Sequence, residues 1–385
     1  MLSGPLVRLG AAFFFAQGAF NIYGASLPLY FTSLGFDPTL IGLLIGATGM
    51  AELIAAVWVG PAIDRIGSRM VLLCGAACFG AASMGYLGLS AVPAVAGLRL
   101  VQGFGLAAVI PATYVFVPHL IRSRRQTLAF ASLGATGNVA MALCPPLGLY
   151  LLQQVGPSAL FLTGVGLAVA AGVAASTVPS PSLTRRPFGL TFRRGWLAPV
   201  LVAVLSVAQW GVIQAFVPIE ASAAGSNPSL LFTADAISVL LSRLPAGWMA
   251  DRYGPLQLGV VGVVLMALSP VVLLLPLSDP VLIGAGILNG TGAGLTLPPM
   301  LAELSRRSDE STRGTALGFF SVAFAVGMII GASGGGLLYS ALQFHGLLVV
   351  GAILCGMGVA VLLVDSLAAR PARRDRSQTP SQVPG

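Results

Sequence analysis

Lysine is absent from the 385 residues, and histidine occurs only as His119 and His345. Charge of either sign is scarce: charged residues make up 8% of the chain. A soluble domain carries about 25%, so no water-facing surface can be built, and the natural solvent is lipid. The missing lysine reads as genomic composition bias. No G-x-x-x-x-G-K-[ST] loop occurs and no soluble stretch could hold one, so ATP is not the expected energy source. The four cysteines, Cys74, Cys78, Cys144 and Cys355, lie in apolar stretches and form no C-x-x-C or Cys/His spacing. They read as small buried hydrophobes. Two scattered histidines are too few for a metal site, and neither a metal nor a cofactor is expected.

What is present is apolar sequence, 56% of the chain. A spanning helix needs roughly 20 mainly apolar residues. Twelve such segments follow one another, approximately 8–31, 39–62, 70–89, 93–117, 127–152, 157–178, 196–219, 229–249, 256–276, 280–301, 314–342 and 344–365. The termini and the connectors after every second span hold 18 of the 20 arginines, and the alternate connectors hold none. By the positive-inside rule both termini and the arginine-rich connectors are cytoplasmic. The expected location is the plasma membrane, multi-pass. The first span exceeds a signal-peptide core and eleven more follow, so its retention is expected. Placed this way, the net charge of +8 serves orientation and contact with anionic lipid, not nucleic acid. The expected units are 1–178, a linker 179–195, 196–365, and a disordered cytoplasmic tail 366–385 rich in Arg, Pro and Ser.

"GPAIDRIGSRM" (60–70) and "GWMADRYGPLQ" (247–257) both spell G-x-x-x-D-R-x-G. Gly60, Asp64, Arg65 and Gly67 recur 187 residues later as Gly247, Asp251, Arg252 and Gly254. The same offset relates Gly75 to Gly262, Gly103 to Gly290, Gly105 to Gly292, Pro111 to Pro298 and Gly148 to Gly335. Earlier landmarks, Pro28 with Pro218 and Pro38 with Pro228, are offset by 190. Two halves of six spans each start on the same side, so the repeats are parallel and related by an axis along the membrane normal.

These features resemble the major facilitator superfamily over residues 8–365. The loop after the second span is similar to that family's G-x-L-A-D-R-x-G-R-K motif, departing at Ala62, Ile63 and Ser68 while Arg69 keeps the positive charge. The second copy loses the trailing basic residues to Pro255 and Leu256. R-x-x-Q-G-x-G-x-A is intact as Arg99, Gln102, Gly103, Gly105 and Ala107. The exporter-associated G-x-x-x-G-P-x-x-G-G is degraded to Ala140, Cys144, Pro145, Gly148 and Leu149, of which only Pro145 and Gly148 match. It is better kept at Gly327, Gly331, Ala332, Gly335 and Gly336. The resemblance implies an all-α integral membrane protein, twelve transmembrane helices in two parallel-repeat six-helix bundles. It also implies that Asp64, with Gly60, Arg65, Gly67, Arg69 and the second copy, acts as a conformational latch. A plain orienting D-R loop is the alternative.

Charges inside spans are costly, about 3 kcal/mol on the lenient scale, and so usually face a cavity or a partner. They are Glu52, Arg99, Asp235 and Arg243. Glu52 lies about 13 residues into its span, roughly 20 Å deep. It is a candidate proton carrier or a structural hydrogen-bonding group. Arg99 is implied by the resemblance in proton coupling or substrate charge, and Asp235 joins the coupling set; structural pairing is the alternative. Arg243 has Asp251 or the membrane boundary as alternative destinations. Gln17, Asn21, Tyr23, Gln102, Asn138, Gln209, Gln214 and Asn289 are candidate cavity-lining residues, each otherwise an interhelical hydrogen-bonding group. Trp210, Phe319, Phe320 and Phe324 could line an apolar pocket. The G-x-G-x-x-A run at Gly103 is no dinucleotide site, because it lies inside a span with no strand before it.

The expected function is secondary transport by alternating access, with proton-coupled efflux of a small organic molecule of the drug or metabolite antiporter kind. The partners are a small-molecule substrate, protons and lipid, with the chain a monomer and not an enzyme. Proton symport or facilitated uptake of a sugar or organic anion is the second reading. A transport-inactive sensor or scaffold is the third, disfavoured by the lack of a sizeable soluble domain.

Overall fold

A computed structural model describes residues 4–120, 126–179, 193–309 and 312–377. The described residues form α-helices joined by short turns and contain no strand. In lipid each backbone amide must be satisfied within its own segment, and apolar runs of this length achieve that as helices. In chain order they are α1 (Gly4–Asn21), α2 (Ser26–Ser33), α3 (Pro38–Ile66), α4 (Ser68–Gly85), α5 (Val92–Leu120), α6 (Gln126–Tyr150) and α7 (Pro157–Ser176). The second half holds α8 (Leu197–Ala223), α9 (Ser229–Tyr253), α10 (Pro255–Val272), α11 (Asp279–Arg306), α12 (Arg313–Met328) and α13 (Gly335–Ser377).

The repeat appears directly in the packing. In the first half α3 and α4 both lie on α5, α1 lies on α6 and α7, and α4 also meets α7. In the second half α9 and α10 lie on α11, α8 lies on α12 and α13, and α10 meets α13. The halves join crosswise: α3 packs on α12 and α13, and α6 packs on α9. Close backbone approach makes these contacts possible. A Cβ on Gly103 would stand 2.3 Å from the Thr48 carbonyl, and one on Gly290 would stand 2.1 Å from the Asp235 carbonyl. The two glycines are a 187-residue pair, and so are their contacts.

The first expected span is broken: α1 ends at Asn21 and α2 begins at Ser26. Pro28, Gly24 and the side-chain bond from Ser26 to the Ile22 carbonyl (2.8 Å) lie at this break. Among the described residues nine helices are long and apolar enough to cross a membrane, or ten when Ser229–Arg243 and Pro245–Tyr253, bent by 54°, count as one span. Twelve is not reached by that criterion. The break shortens the first span, and Gly318–Leu367 runs as one apolar stretch through a π-helical segment at Ile329–Gly334 and a kink between two helices at Gln343 (φ 54°). Helix also covers 366–377, the first part of the segment expected to be disordered, where Ala368, Ala369 and several arginines are strong helix formers. Residues 378–385 and linker residues 180–192 lie outside the described residues.

The repeated loops are alike in backbone conformation. Gly67 (φ 88°, ψ 149°) ends α3 and opens α4, and Gly254 (φ 93°, ψ 142°) ends α9 and opens α10. Each donates its N–H back into the finished helix, to the Ile63 carbonyl (3.0 Å) and the Ala250 carbonyl (2.9 Å). An L side chain is strained at this φ, so Gly67→Ala and Gly254→Ala should each cost about 1–2 kcal/mol. At Gly60 and Gly247, both inside helices, a Cβ would meet nothing within 4 Å. Gly60→Ala and Gly247→Ala should therefore be neutral or stabilise by up to about 1 kcal/mol. Thermal melts of the purified variants check the contrast; equal costs at all four positions would contradict it.

Candidate functional site

The halves close on each other near the arginine-poor end. Gly42, Gly46 and Gly49 on one face of α3 lie against Ala332, Ser333 and Ala325 of the second half. Opposite, Thr233 of α9 donates to the Ala142 carbonyl of α6 (3.2 Å). Toward the arginine-rich end, a cleft of about 350 Å³ lies between α1 and α6, lined by residues such as Leu6, Phe14, Phe15 and Thr136.

Glu52 follows Gly49 by three residues, nearly one turn, on the side of α3 that faces α12. It is partly buried and makes no hydrogen bond or ion pair among the described residues. The hydrogen-bonded structural reading of Glu52 therefore has no partner in this arrangement.

Arg99 is 5% exposed and is satisfied without an acid. Its Nε donates to the Leu44 carbonyl (3.0 Å), Nη2 to the Ile45 carbonyl (3.1 Å) and Thr48 Oγ1 (3.3 Å), and Nη1 to Gln102 Oε1 (2.7 Å). The Tyr86 hydroxyl adds a bond to the same Gln102 oxygen (3.2 Å). In the second half Asp235, 2% exposed, accepts from Asn289 Nδ2 at 2.7 Å. Thr48 and Asp235 are repeat equivalents, as are Gln102 and Asn289. The two halves thus place opposite charges at corresponding seams, Arg99 between α3 and α5, Asp235 between α9 and α11. The shared offset carried this signal in the sequence, but it shows only when the charges are compared across the halves.

The cavity candidates divide. Arg99, Tyr23 and Gln214 line a void of about 10 Å³ with Phe20, Gly24 and Ile45, room for about one water. Tyr23 itself donates to Ser83 Oγ (2.7 Å) inside the first half, and Asn21 Nδ2 to the Gln17 carbonyl (2.8 Å). Gln17 Oε1, Asn138 Nδ2 and Asn289 Oδ1 are buried without a partner, as polar groups in a cavity that takes water or ligand would be. Gln209 is fully buried with both amide atoms unpaired, and the base of its side chain lies beside α13, where a Cβ on Gly351 would stand 3.3 Å from its Cγ. Trp210, the next residue, meets Phe232 of α9 edge-on at 5.7 Å. Phe320 belongs to the core of the second half with Phe324 packed on it, and Phe319 meets Trp196 with its ring tilted by 47° at 6.2 Å.

Among the expected latch residues, Asp64, Arg65 and Asp251 make no hydrogen bond or ion pair with the described residues. Arg252 lies over the rings of Trp248 (5.4 Å) and Tyr253 (5.6 Å). Arg69 goes to the Val178 carbonyl at the end of α7, next to Arg8, which donates to the Thr177 carbonyl (3.2 Å). Cations at a helix C-terminus complement its dipole. A second arginine cluster escaped the sequence reading altogether. Arg307 bonds Glu303 (2.8 Å), both Asp365 oxygens (3.0 and 2.6 Å) and the Gly195 carbonyl (3.0 Å), and Arg193 pairs with Asp309 (2.5 Å). These arginines served only to count the inside, because their partners are distant in sequence.

The family model described as Major Facilitator Superfamily matches this chain over residues 9–222 and again over 199–384. The human MFS-type transporter SLC18B1 is 24% identical over 376 residues, covering 90% of this chain and 81% of its own. The chloramphenicol resistance protein of Pseudomonas aeruginosa is 26% identical over 294 residues, covering 70% and 69%. The solved structure of the nucleoside transporter NupG superposes with a TM-score of 0.72 at 15% identity, covering 95% of this chain and 99% of that one.

Proposed function

The chain belongs to the Major Facilitator Superfamily, and from that premise we propose that it exports a small organic molecule in exchange for protons. It is a multi-pass membrane transporter and not an enzyme. In our reading it crosses the plasma membrane twelve times as a monomer with both termini cytoplasmic. The broken α1–α2 then serves as one span, and Gly318–Leu367 as two. The arginine distribution supports that orientation.

The observation that carries the coupling is Glu52, a partnerless carboxylate on the α3 face turned to the second half. A carboxylate there can hold a proton in one bundle arrangement and release it in the other. One charge moved through 100 mV is worth about 2.3 kcal/mol, enough to bias the cycle. Asp235 with Asn289, and Arg99 with Gln102, hold the charged interior on either side. The unengaged Asp64 fits an arrangement with the cytoplasmic side unlatched. The similarity to a chloramphenicol resistance protein of Pseudomonas aeruginosa favours efflux and suggests chloramphenicol as the first solute to test.

Proteoliposome flux tests this. A pH gradient should drive chloramphenicol, or another solute from a drug and metabolite panel, against its concentration gradient, and Glu52→Gln should reduce that accumulation to background while leaving exchange at zero gradient. Full proton-driven accumulation in the variant overturns the assignment to Glu52. No movement of any solute, with or without the gradient, overturns the export reading. Direction is read in cells: the substrate should build up in a deletion strain, and depletion would favour uptake.

A further inference from the structure

Arg243 projects from α9 across the boundary between the halves. A Cβ on Gly134 of α6 would lie 3.8 Å from its Nη1 and 3.7 Å from the Tyr114 hydroxyl of α5. The glycine therefore leaves a small open place with a guanidinium on one side and a phenol on the other. Among the described residues Arg243 makes no ion pair or hydrogen bond, and its Nε is buried without an acceptor. Asp235 on the same helix and the Tyr114 hydroxyl act on its charge through space, but Asp235 forms no ion pair with it. It stands eight residues away, roughly 12 Å along the axis, and one of its oxygens already accepts from Asn289.

The surroundings hold further unpaired polar atoms, a donor on Asn138 and an acceptor, Oε1, on Gln17. Asn138 lies one turn from Gly134 on α6, and its Nδ2 is buried without a partner. The Gln17 amide reaches the adjacent Gly137, where a Cβ would stand 3.8 Å from Nε2. An unpaired guanidinium inside a span is costly unless it meets water or an anion. A carboxylate answers a guanidinium best, because its two oxygens match the fork of donors.

We propose that Arg243, with Asn138 beside it, forms an anion subsite between the two halves that takes the carboxylate of a small organic acid. It rests on the transport reading, whose substrate it narrows to compounds carrying an acidic group, so that the acidic members of the solute panel, not neutral chloramphenicol, are the ones it expects to be carried. Gly134 keeps the site open, and α9 supplies the charge from one half while α5 and α6 supply the wall from the other. A ligand held there touches both halves, which is what coupling binding to their relative movement requires.

The test uses the full chain in inverted vesicles, with Cys74, Cys78, Cys144 and Cys355 replaced by alanine and Gly134→Cys introduced. The probes are two methanethiosulfonate reagents of similar size, one ending in sulfonate and one in trimethylammonium. The anionic reagent should label roughly tenfold faster, and adding Arg243→Gln should abolish the preference. Benzoate should slow labelling while benzamide does not. Equal rates, a preference unchanged by Arg243→Gln, no labelling by either reagent, or equal effects of benzoate and benzamide would each overturn the subsite. Labelling needs no turnover, so the flux assay separates the two readings. Lost preference with intact proton-driven flux overturns the subsite alone, and preserved preference without flux overturns the transport reading alone.

Discussion

Gly290→Val should leave little folded protein, and Gly331→Val should behave the same way. A Cβ at 290 would stand 2.1 Å from the Asp235 carbonyl, and one at 331 would stand 1.9 Å from the Ala208 carbonyl. Both obstacles are backbone, which cannot swing aside as a side chain can. The helices would have to separate by more than an ångström, and the loss would spread along each seam. In lipid no hydrophobic force pushes helices together, so close van der Waals packing carries their association. Overpacking a core costs about 1–3 kcal/mol even where atoms can relax, and here they cannot. Gly290→Val also lifts α11 away from Asp235 and breaks its bond to Asn289. Monodispersity in size-exclusion chromatography and the melting curve read the result, with Gly247→Ala as the variant that should behave as wild type. A monodisperse Gly290→Val with an unchanged melt would show that the seam between α9 and α11 is looser than described.

Arg99 should show an inverted order of substitution. Arg99→Lys is conservative in charge, yet it should be the more destabilising change, by about 3 kcal/mol. A lysine ammonium is a compact point charge with three donors. It cannot reach the Leu44 and Ile45 carbonyls, Thr48 and Gln102 from the position that the guanidinium fork serves, so a buried cation would be left short of acceptors. Arg99→Met removes the charge and fills similar volume. The two carbonyls belong to α3 and keep their helical amides, and Gln102 keeps Tyr86. Replacing a buried ion by an apolar group of similar size is often neutral for stability, so the methionine variant should melt close to wild type. The flux assay then separates roles. If Arg99 acts in coupling, the methionine variant folds and fails to accumulate solute. A folded and fully active Arg99→Met would make Arg99 a structural tie between α3 and α5. A lysine variant as stable as wild type would contradict the bonding described.

The two variants probe features of different legibility. The repeat of Gly103 and Gly290 stands in the sequence, and the carbonyls they face were bound to follow the same offset. The ring of acceptors around Arg99 was not legible, because two of them are main-chain atoms of another helix and carry no signature in residue identity. Gln209 shows the same limit. Its place in a cavity-type span grouped it with Gln214, and only the packing shows that the base of its side chain runs beside Gly351 of α13 while both amide atoms are left unpaired. Arg69 sits inside a motif whose resemblance implied a latch, and that its guanidinium donates to the Val178 carbonyl at the end of α7 was not legible, because that acceptor is a main-chain atom 109 residues away.

The sequence by itself determined the membrane as solvent, the arginine-rich face, the two halves and their parallel relation. Each of these follows from quantities that add up locally along the chain: charge density, length of apolar runs, and the distance at which a pattern recurs. Tertiary structure alone decided how each helix is rotated about its axis. A helix apolar on every side has no stripe to declare its inner face, so rotation is set by which small residues let two backbones meet. That rotation turned Glu52 toward the second half, buried Gln209 beside Gly351, and carried Arg243 across to Gly134 and Tyr114.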